Sequence, residues 1–176
     1  QAGANSIYFG IGRLNMRSHS ANHFDINDLH EIAETCKAHG IKTYLTVNTI
    51  IYDEDMEAMR QIVDAAKAAD ISAVIASDVA VLGYCRQVGV EVHLSTQLNI
   101  TNVESLKFYA QFADVTVLAR ELNMKQVKHI YDEITNQNIC GPMGKPVRIE
   151  MFCHGALCMA VSGKCYLSID AEAHSA

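Results

Sequence analysis

Residues 42–78 read KTYLTVNTIIYDEDMEAMRQIVDAAKAADISAVIASD. The run Lys42–Asn48 is rich in β-branched and aromatic residues, which suits a buried strand. Met56, Met59, Ile62, Val63 and Ala66 then recur at intervals of three and four, the apolar stripe of an amphipathic helix. Ala73–Ser77 is a second short apolar run. Strand, helix and strand in this order make a βαβ unit, whose strands run parallel because the helix carries the chain back to its starting edge.

The same alternation extends in both directions. Ser6–Gly10, Val90–Ser95, Asp114–Ala119 and Val147–Cys153 are further apolar runs, so six strands are predicted. Between them lie helical stripes. Ile26, Leu29, Ile32, Ala33 and Cys36 form one, closed by Gly40 as a left-handed cap. Asn102 caps a helix through Val103, Leu106 and Tyr109. Asn123 and Gln126 form a capping box ahead of Val127, Ile130, Tyr131 and Ile134, and Asp78 is a further N-cap. Met56, Met59, Tyr109 and Tyr131 are assigned to the core.

Apolar strands alternating with helices define an α/β fold with a parallel sheet covered on both faces. A doubly wound sheet would carry a glycine-rich turn after its first strand. Gly10-Ile11-Gly12 lacks the third glycine, and no helical pattern follows it. The other closure is a (β/α) barrel, which takes about 250 residues when complete. A chain of 176 residues with six strands therefore predicts an incomplete TIM-like (β/α) barrel, one α/β domain over residues 1–176.

Composition narrows the function. Fourteen Lys and Arg against 20 Asp and Glu leave a net charge of −6, which speaks against gripping nucleic acid through bulk charge. No apolar stretch reaches the 18 or so residues of a membrane span, and Gln1–Asn5 has neither the basic start nor the apolar core of a signal peptide. These features predict a cytoplasmic protein with no membrane partner and reduced thiols. The start at Gln1 and the uncapped ending from Ile169 to Ala176 predict a fragment of a longer protein, with an N-terminal strand and a C-terminal region missing.

In a barrel the active site gathers at the C-terminal ends of the strands. Those positions carry Arg17, Asn48, Asp78, Ser95-Thr96-Gln97, Arg120-Glu121 and His154. The Asn48 and Gln97 amides suit a base edge or a carbonyl, and equally suit backbone groups where strands stop. The densest stretch is Glu150–Ser168, which holds half of the six cysteines. Cys158 and Cys165 flank Ser162-Gly163, a spacing that lets a loop bring two thiolates to one metal. Soft thiolates select zinc, Cu(I) or iron–sulfur clusters, while a free cysteine buried for packing is the plain alternative. Nucleophile and base pairs are available in Cys158 or Ser162 with His154 and in Ser95 with His93, none within a recognisable nucleophile motif. Glu150 and His154 are the candidate catalytic residues. Cys36, Cys85 and Cys140 are assigned to packing or exposure, and His19, His30, His39, His129 and His174 to solvent.

The pattern Glu150-x-Phe152-x-x-Gly155-Ala156-Leu157-Cys158-x4-Gly163-x-Cys165-x-Leu167-Ser168 resembles the signature of the collagenase-like peptidase family, peptidase family U32. The likeness continues through Ala2-Gly3-Ala4 with Ile7–Gly10, Arg17 with Asn22-His23-Phe24, Val47-Asn48, Ser77-Asp78, His93–Gln97 and Leu118–Leu122. It implies a barrel-like catalytic domain, preceded by one more strand and helix and followed by further cysteines. In members that act as oxygen-independent hydroxylases, four cysteines hold a 4Fe–4S cluster, and Cys158 and Cys165 match the first two ligands. Cys153 stands where relatives carry an aliphatic residue and takes no ligand role. Such members hydroxylate a tRNA uridine, a 23S rRNA cytidine or a quinone precursor, and in the uridine branch prephenate is the hydroxyl source. The resemblance thus implies RNA and a small-molecule carboxylate as partners, with Arg17 and Arg120 as clamps for carboxylate or phosphate and Asn48 and Gln97 as substrate-binding amides. Formation of 5-hydroxyuridine in tRNA is the activity expected, with a peptidase as the alternative.

Overall fold

The computed structural model describes residues 3–15, 24–154 and 161–162. Their contacts fall into two compact units, residues 1–91 and 92–176. The first unit holds β1 (Ser6–Gly10), α1 (Leu29–Ala38), β2 (Lys42–Val47), α2 (Met56–Ala68), β3 (Ala73–Ala76) and α3 (Val79–Val88). The second holds β4 (Val92–Leu94), α4 (Val103–Ala110), β5 (Val115–Val117), α5 (Met124–Asn136) and β6 (Arg148–Glu150).

Among the described residues, the strands within each unit pair in parallel. β1 meets β2 from Ser6 opposite Lys42 to Gly10 opposite Thr46, and β2 meets β3 from Tyr44 opposite Ala73 to Val47 opposite Ala76. In the second unit His93 lies opposite Val115, and Val115 to Val117 lie opposite Arg148 to Glu150. The architecture is α/β, six parallel strands alternating with helices as in an incomplete barrel. Leu29, Leu45, Met59, Val63, Val74 and Leu82 are fully buried in the first unit. Leu94, Ile100, Leu106, Leu118 and Ile130 fill that role in the second. Each such side chain contributes about 1.5–3 kcal/mol relative to exposure.

Local signals place the helices. Gly40 takes φ +67° after α1 and Gly89 φ +76° after α3, left-handed values that cost glycine nothing. Asn102 accepts the Ser105 amide at the start of α4. Asn123 accepts from the Lys125 and Gln126 amides while the Gln126 side chain accepts from the Asn123 amide, closing the capping box of α5. Asp78 caps α3 through the Ala80 amide at 2.8 Å, and its other oxygen takes the Ile51 amide at 3.2 Å. It therefore ties the loop after β2 to the start of α3.

Two expectations need correction. Tyr131 is 63% exposed rather than in the core, because Val127, Ile130 and Ile134 form the buried face of α5 and Tyr131 is turned about 65–70° from the centre of that face. Several strands are also shorter than their apolar runs. β4 stops at Leu94 because the Ser95 hydroxyl caps a single turn of 3-10 helix, Thr96–Leu98, by accepting the Gln97 amide.

Because Asp78 serves two backbone amides, Asp78→Ala is expected to cost about 1–2 kcal/mol in urea unfolding. A loss below about 0.3 kcal/mol would show that solvent replaces both bonds.

Candidate functional site

Parallel pairing sends the C-terminal end of each strand in a unit the same way, and polar groups collect there. In the first unit Gly10 ends β1 where the Asn15 side chain folds back. A Cβ at Gly10 would stand 2.4 Å from Asn15 Cγ. The buried Asn15 donates from Nδ2 to the Ile11 and Gly12 carbonyls, both at 3.1 Å, so the loop is fixed by its own side chain. Arg13 on that loop meets the buried Asp55 at 2.5 Å, and Asp55 also accepts the Tyr52 amide. Asn48 follows β2 directly and is half-buried. Arg13, Asn15 and Asp55 escaped sequence reasoning, since an arginine and an aspartate 42 positions apart leave no local pattern.

The second unit carries the denser set. His93 on β4 is 2% exposed, and its Nδ1 lies 3.5 Å from Oε1 of Glu150 at the end of β6. The register explains the meeting. His93 lies opposite Val115 and Glu150 opposite Val117, and alternate residues share a face. An imidazole beside a carboxylate can hold or pass a proton. Sequence reasoning singled out Glu150 but paired His93 with Ser95. The two-residue strand period was the available signal, and it could not identify a partner two strands away.

Arg120 and Glu121, after β5, hold Ser162. The Ser162 amide donates to Glu121 Oε1 at 2.7 Å. Its Oγ accepts from the Arg120 amide and from Arg120 Nε, each at 3.4 Å. Ser162 itself is 1% exposed. Partial burial pulls the Glu121 carboxyl upward, but its bonds to Ser162 and to its own amide, with the Arg120 charge, outweigh that and leave it below the ordinary glutamate value. The segment beyond β5 is set by close backbone approach. At Gly141 a Cβ would fall 2.4 Å from Asp114 Oδ1 and 2.8 Å from the Ala113 carbonyl. Asp114 also receives the Met143 amide at 3.1 Å, while its carbonyl takes the Arg148 amide that begins β6.

The remaining predicted site residues separate. Gln97 sits half-buried on the short helical turn after β4. His154 lies exposed past β6. Arg17, Cys158 and Cys165 lie outside the described residues. Among the described residues no three His, Cys, Asp or Glu side chains converge as a metal site. Burial pushes the Cys85 thiol up to about 12, so it is protonated at neutral pH and packs as a small apolar side chain. Cys36 is likewise buried, Cys140 half-buried and Cys153 exposed. His30, His39 and His129 are exposed as expected. Among the described residues no helix is long and apolar enough to cross a membrane.

Parallel strands of the barrel type with a polar set at their C-terminal ends define a class of α/β site. The comparisons with known proteins then specify it. All of residues 1–176 match the sequence profile described as Peptidase family U32, and the chain belongs to that family. It is 65% identical over 176 residues to a collagenase of Porphyromonas gingivalis, covering 100% of this chain and 42% of that protein. It is 32% identical over 169 residues to tRNA hydroxylation protein P1 of Bacillus subtilis, covering 94% of this chain and 37% of that one. With a 23S rRNA 5-hydroxycytidine synthase of Escherichia coli the identity is 32% over 168 residues, covering 94% and 23%. The chain thus spans well under half the length of these relatives. The solved structure of the U32 peptidase Mk0906 superposes with a TM-score of 0.63 at 13% identity, covering 85% of this chain and 60% of that one, a likeness of fold.

A lowered folded-state value means that Glu121 adds stability above its unfolded value, and that this contribution disappears as pH falls through the folded value. A carboxyl carbon NMR titration of Glu121 is expected to show a midpoint below that of a glutamate in a random-coil peptide. A midpoint at or above the peptide's would mean that the bonds to Ser162 do not form in solution.

Proposed function

We propose that the protein is an oxygen-independent iron–sulfur RNA hydroxylase of family U32, which forms 5-hydroxyuridine in tRNA in the cytoplasm and uses prephenate as the hydroxyl source. The observation that carries this reading is the state of Ser162. A serine nucleophile is activated by an adjacent, oriented base, whereas the Ser162 hydroxyl and amide are both taken up by Arg120 and the Glu121 carboxylate, which tie them to the end of β5. No hydrogen bond joins it to His154. Ser162 is built as an anchor, and Cys85 is held as a thiol. The tRNA and rRNA hydroxylation relatives support the same reading.

Roles follow from placement. Arg120 is exposed with Nε directed at Ser162, so its head is oriented in a way that suits the planar fork of carboxylate or phosphate recognition. Asn48 and Gln97, each within its own unit, would offer an amide to a base edge or carbonyl, and Arg17 a guanidinium to an anionic group. His93 and Glu150 would hold a proton at the end of β4 and β6. Cys158 and Cys165 would supply two of the thiolates of a 4Fe–4S cluster, whose donor chemistry they fit. When bound, the cluster supplies one-electron chemistry that side chains lack. The acidic net charge leaves RNA to be gripped by local groups rather than bulk charge.

The 65% identity to a collagenase favours peptide cleavage as the second reading. Mass spectrometry of nucleosides separates the two. A strain lacking the gene is expected to lose 5-hydroxyuridine derivatives from tRNA, wild-type protein to restore them, and Arg120→Ala to restore them about 10²-fold less well. Unchanged tRNA with lost 5-hydroxycytidine in rRNA, or with a lost quinone, would reassign the substrate. Unchanged nucleosides together with cleavage of denatured collagen by the iron-free protein would establish the peptidase.

A further inference from the structure

Ile51 and Tyr52 are neighbours in the loop that leaves β2, and a different carboxyl group holds each amide. Asp78 takes the Ile51 amide and Asp55 the Tyr52 amide, both at 3.2 Å. The main chain at Tyr52 is therefore fixed from two sides. Its side chain is not covered. Tyr52 is 57% exposed, and Ile50 on the same loop and Val79 at the start of α3 are exposed as well. Single exposed apolar residues are ordinary, so exposure by itself assigns nothing. What separates Tyr52 is a cation on the same carboxyl. Asp55 is buried, and while one of its oxygens accepts from the Tyr52 amide the other accepts from Arg13 Nη2. That bond uses one of the five N–H donors of a guanidinium, and the Arg13 side chain is 61% exposed. One buried carboxyl thus anchors an aromatic residue and a guanidinium, both open to solvent. Because β1 and β2 are parallel, their loops leave the same end of the sheet, the end at which barrel sites form.

We propose that Tyr52 and Arg13 form a subsite for one nucleotide of an RNA substrate, with the base stacked on the Tyr52 ring and the phosphate taken by the Arg13 fork. The inference rests on the RNA reading above and adds where this chain receives the strand. An aromatic ring supports any base, because every base has a flat face. A planar guanidinium matches a phosphate with paired N–H donors. Anchoring both residues before the strand arrives lowers the ordering cost of binding. In a chain of net charge −6 a placed cation has to stand in for the bulk positive charge usual in nucleic-acid binding. Asp53 and Glu54 follow Tyr52 and are exposed. They repel phosphate from their end of the loop, which leaves the Arg13 side for it.

The test measures binding of a fluorescein-labelled, unmodified tRNA transcript to the full-length protein by fluorescence anisotropy at several salt concentrations. Tyr52→Ala is expected to weaken binding about tenfold with its salt dependence unchanged. Tyr52→Phe keeps the ring and is expected to bind as wild type does. Arg13→Ala is expected to weaken binding and to lower the slope of log K against log salt by about one. That variant leaves a buried Asp55 without its cation. Should it fail to fold, Arg13→Met combined with Asp55→Asn removes both charges, keeps an oxygen for the Tyr52 amide, and is expected to lower the slope equally. Wild-type affinity in Tyr52→Ala, or an unaltered slope in the arginine variants, would overturn the inference. Equal weakening in Tyr52→Phe and Tyr52→Ala would also overturn it, by tracing the contact to the hydroxyl. Unchanged tRNA binding in the variants with weakened binding of denatured collagen would overturn it in favour of a peptide on this surface. A wild-type protein that binds no tRNA would sink the RNA reading itself, a distinct failure.

Discussion

Parallel pairing is the constraint on which the rest depends. Parallel strands cannot be joined by a tight turn, so each connection must be a long crossover, here a helix. Every strand within a unit then ends the same way, and the loops that leave those ends become neighbours however distant they are in sequence. His93 and Glu150 meet because β4, β5 and β6 are in parallel register. Arg13 and Asp55 meet because the loops leaving β1 and β2 are adjacent. Burial of apolar side chains on the faces supplies the stability, and polar groups at the ends supply the chemistry.

Those ends are built unequally. In the first unit buried Asp55 and Asn15 hold their own loops. In the second, Arg120 and Glu121 reach beyond β6 to secure Ser162, within the interval that separates two cysteines. A serine so placed anchors its segment, and the proposed hydroxylase reading starts from that role, while the family name and a collagenase relative at 65% identity favour peptide cleavage as the second reading.

Much of the fold was legible because its signals are local. All six strands fall inside the predicted runs, and the caps at Gly40, Asp78, Asn102 and Asn123 stand where the sequence put them. Cap chemistry acts over two or three residues, so it reads directly from spacing. Tyr131 was misplaced because a stripe drawn with both Ile130 and Tyr131 is wider than the face that α5 buries. The site was less legible. Glu150, Gln97, Asn48 and Arg120 were named, but their partners were not, since the His93–Glu150 and Glu121–Ser162 contacts join residues tens of positions apart. Arg17, named from its place after the first strand, and Cys158 and Cys165, named from their spacing, took their specific roles from the family resemblance and lie outside the described residues.

The iron content of the full-length protein, isolated without air and examined by Mössbauer spectroscopy with sulfide analysis, bears most directly on the central claim. A 4Fe–4S hydroxylase should contain about four iron and about four sulfide per chain, with both lost in Cys158→Ala. A protein carrying zinc or no metal at all, with Cys158→Ala indistinguishable from wild type, would contradict it.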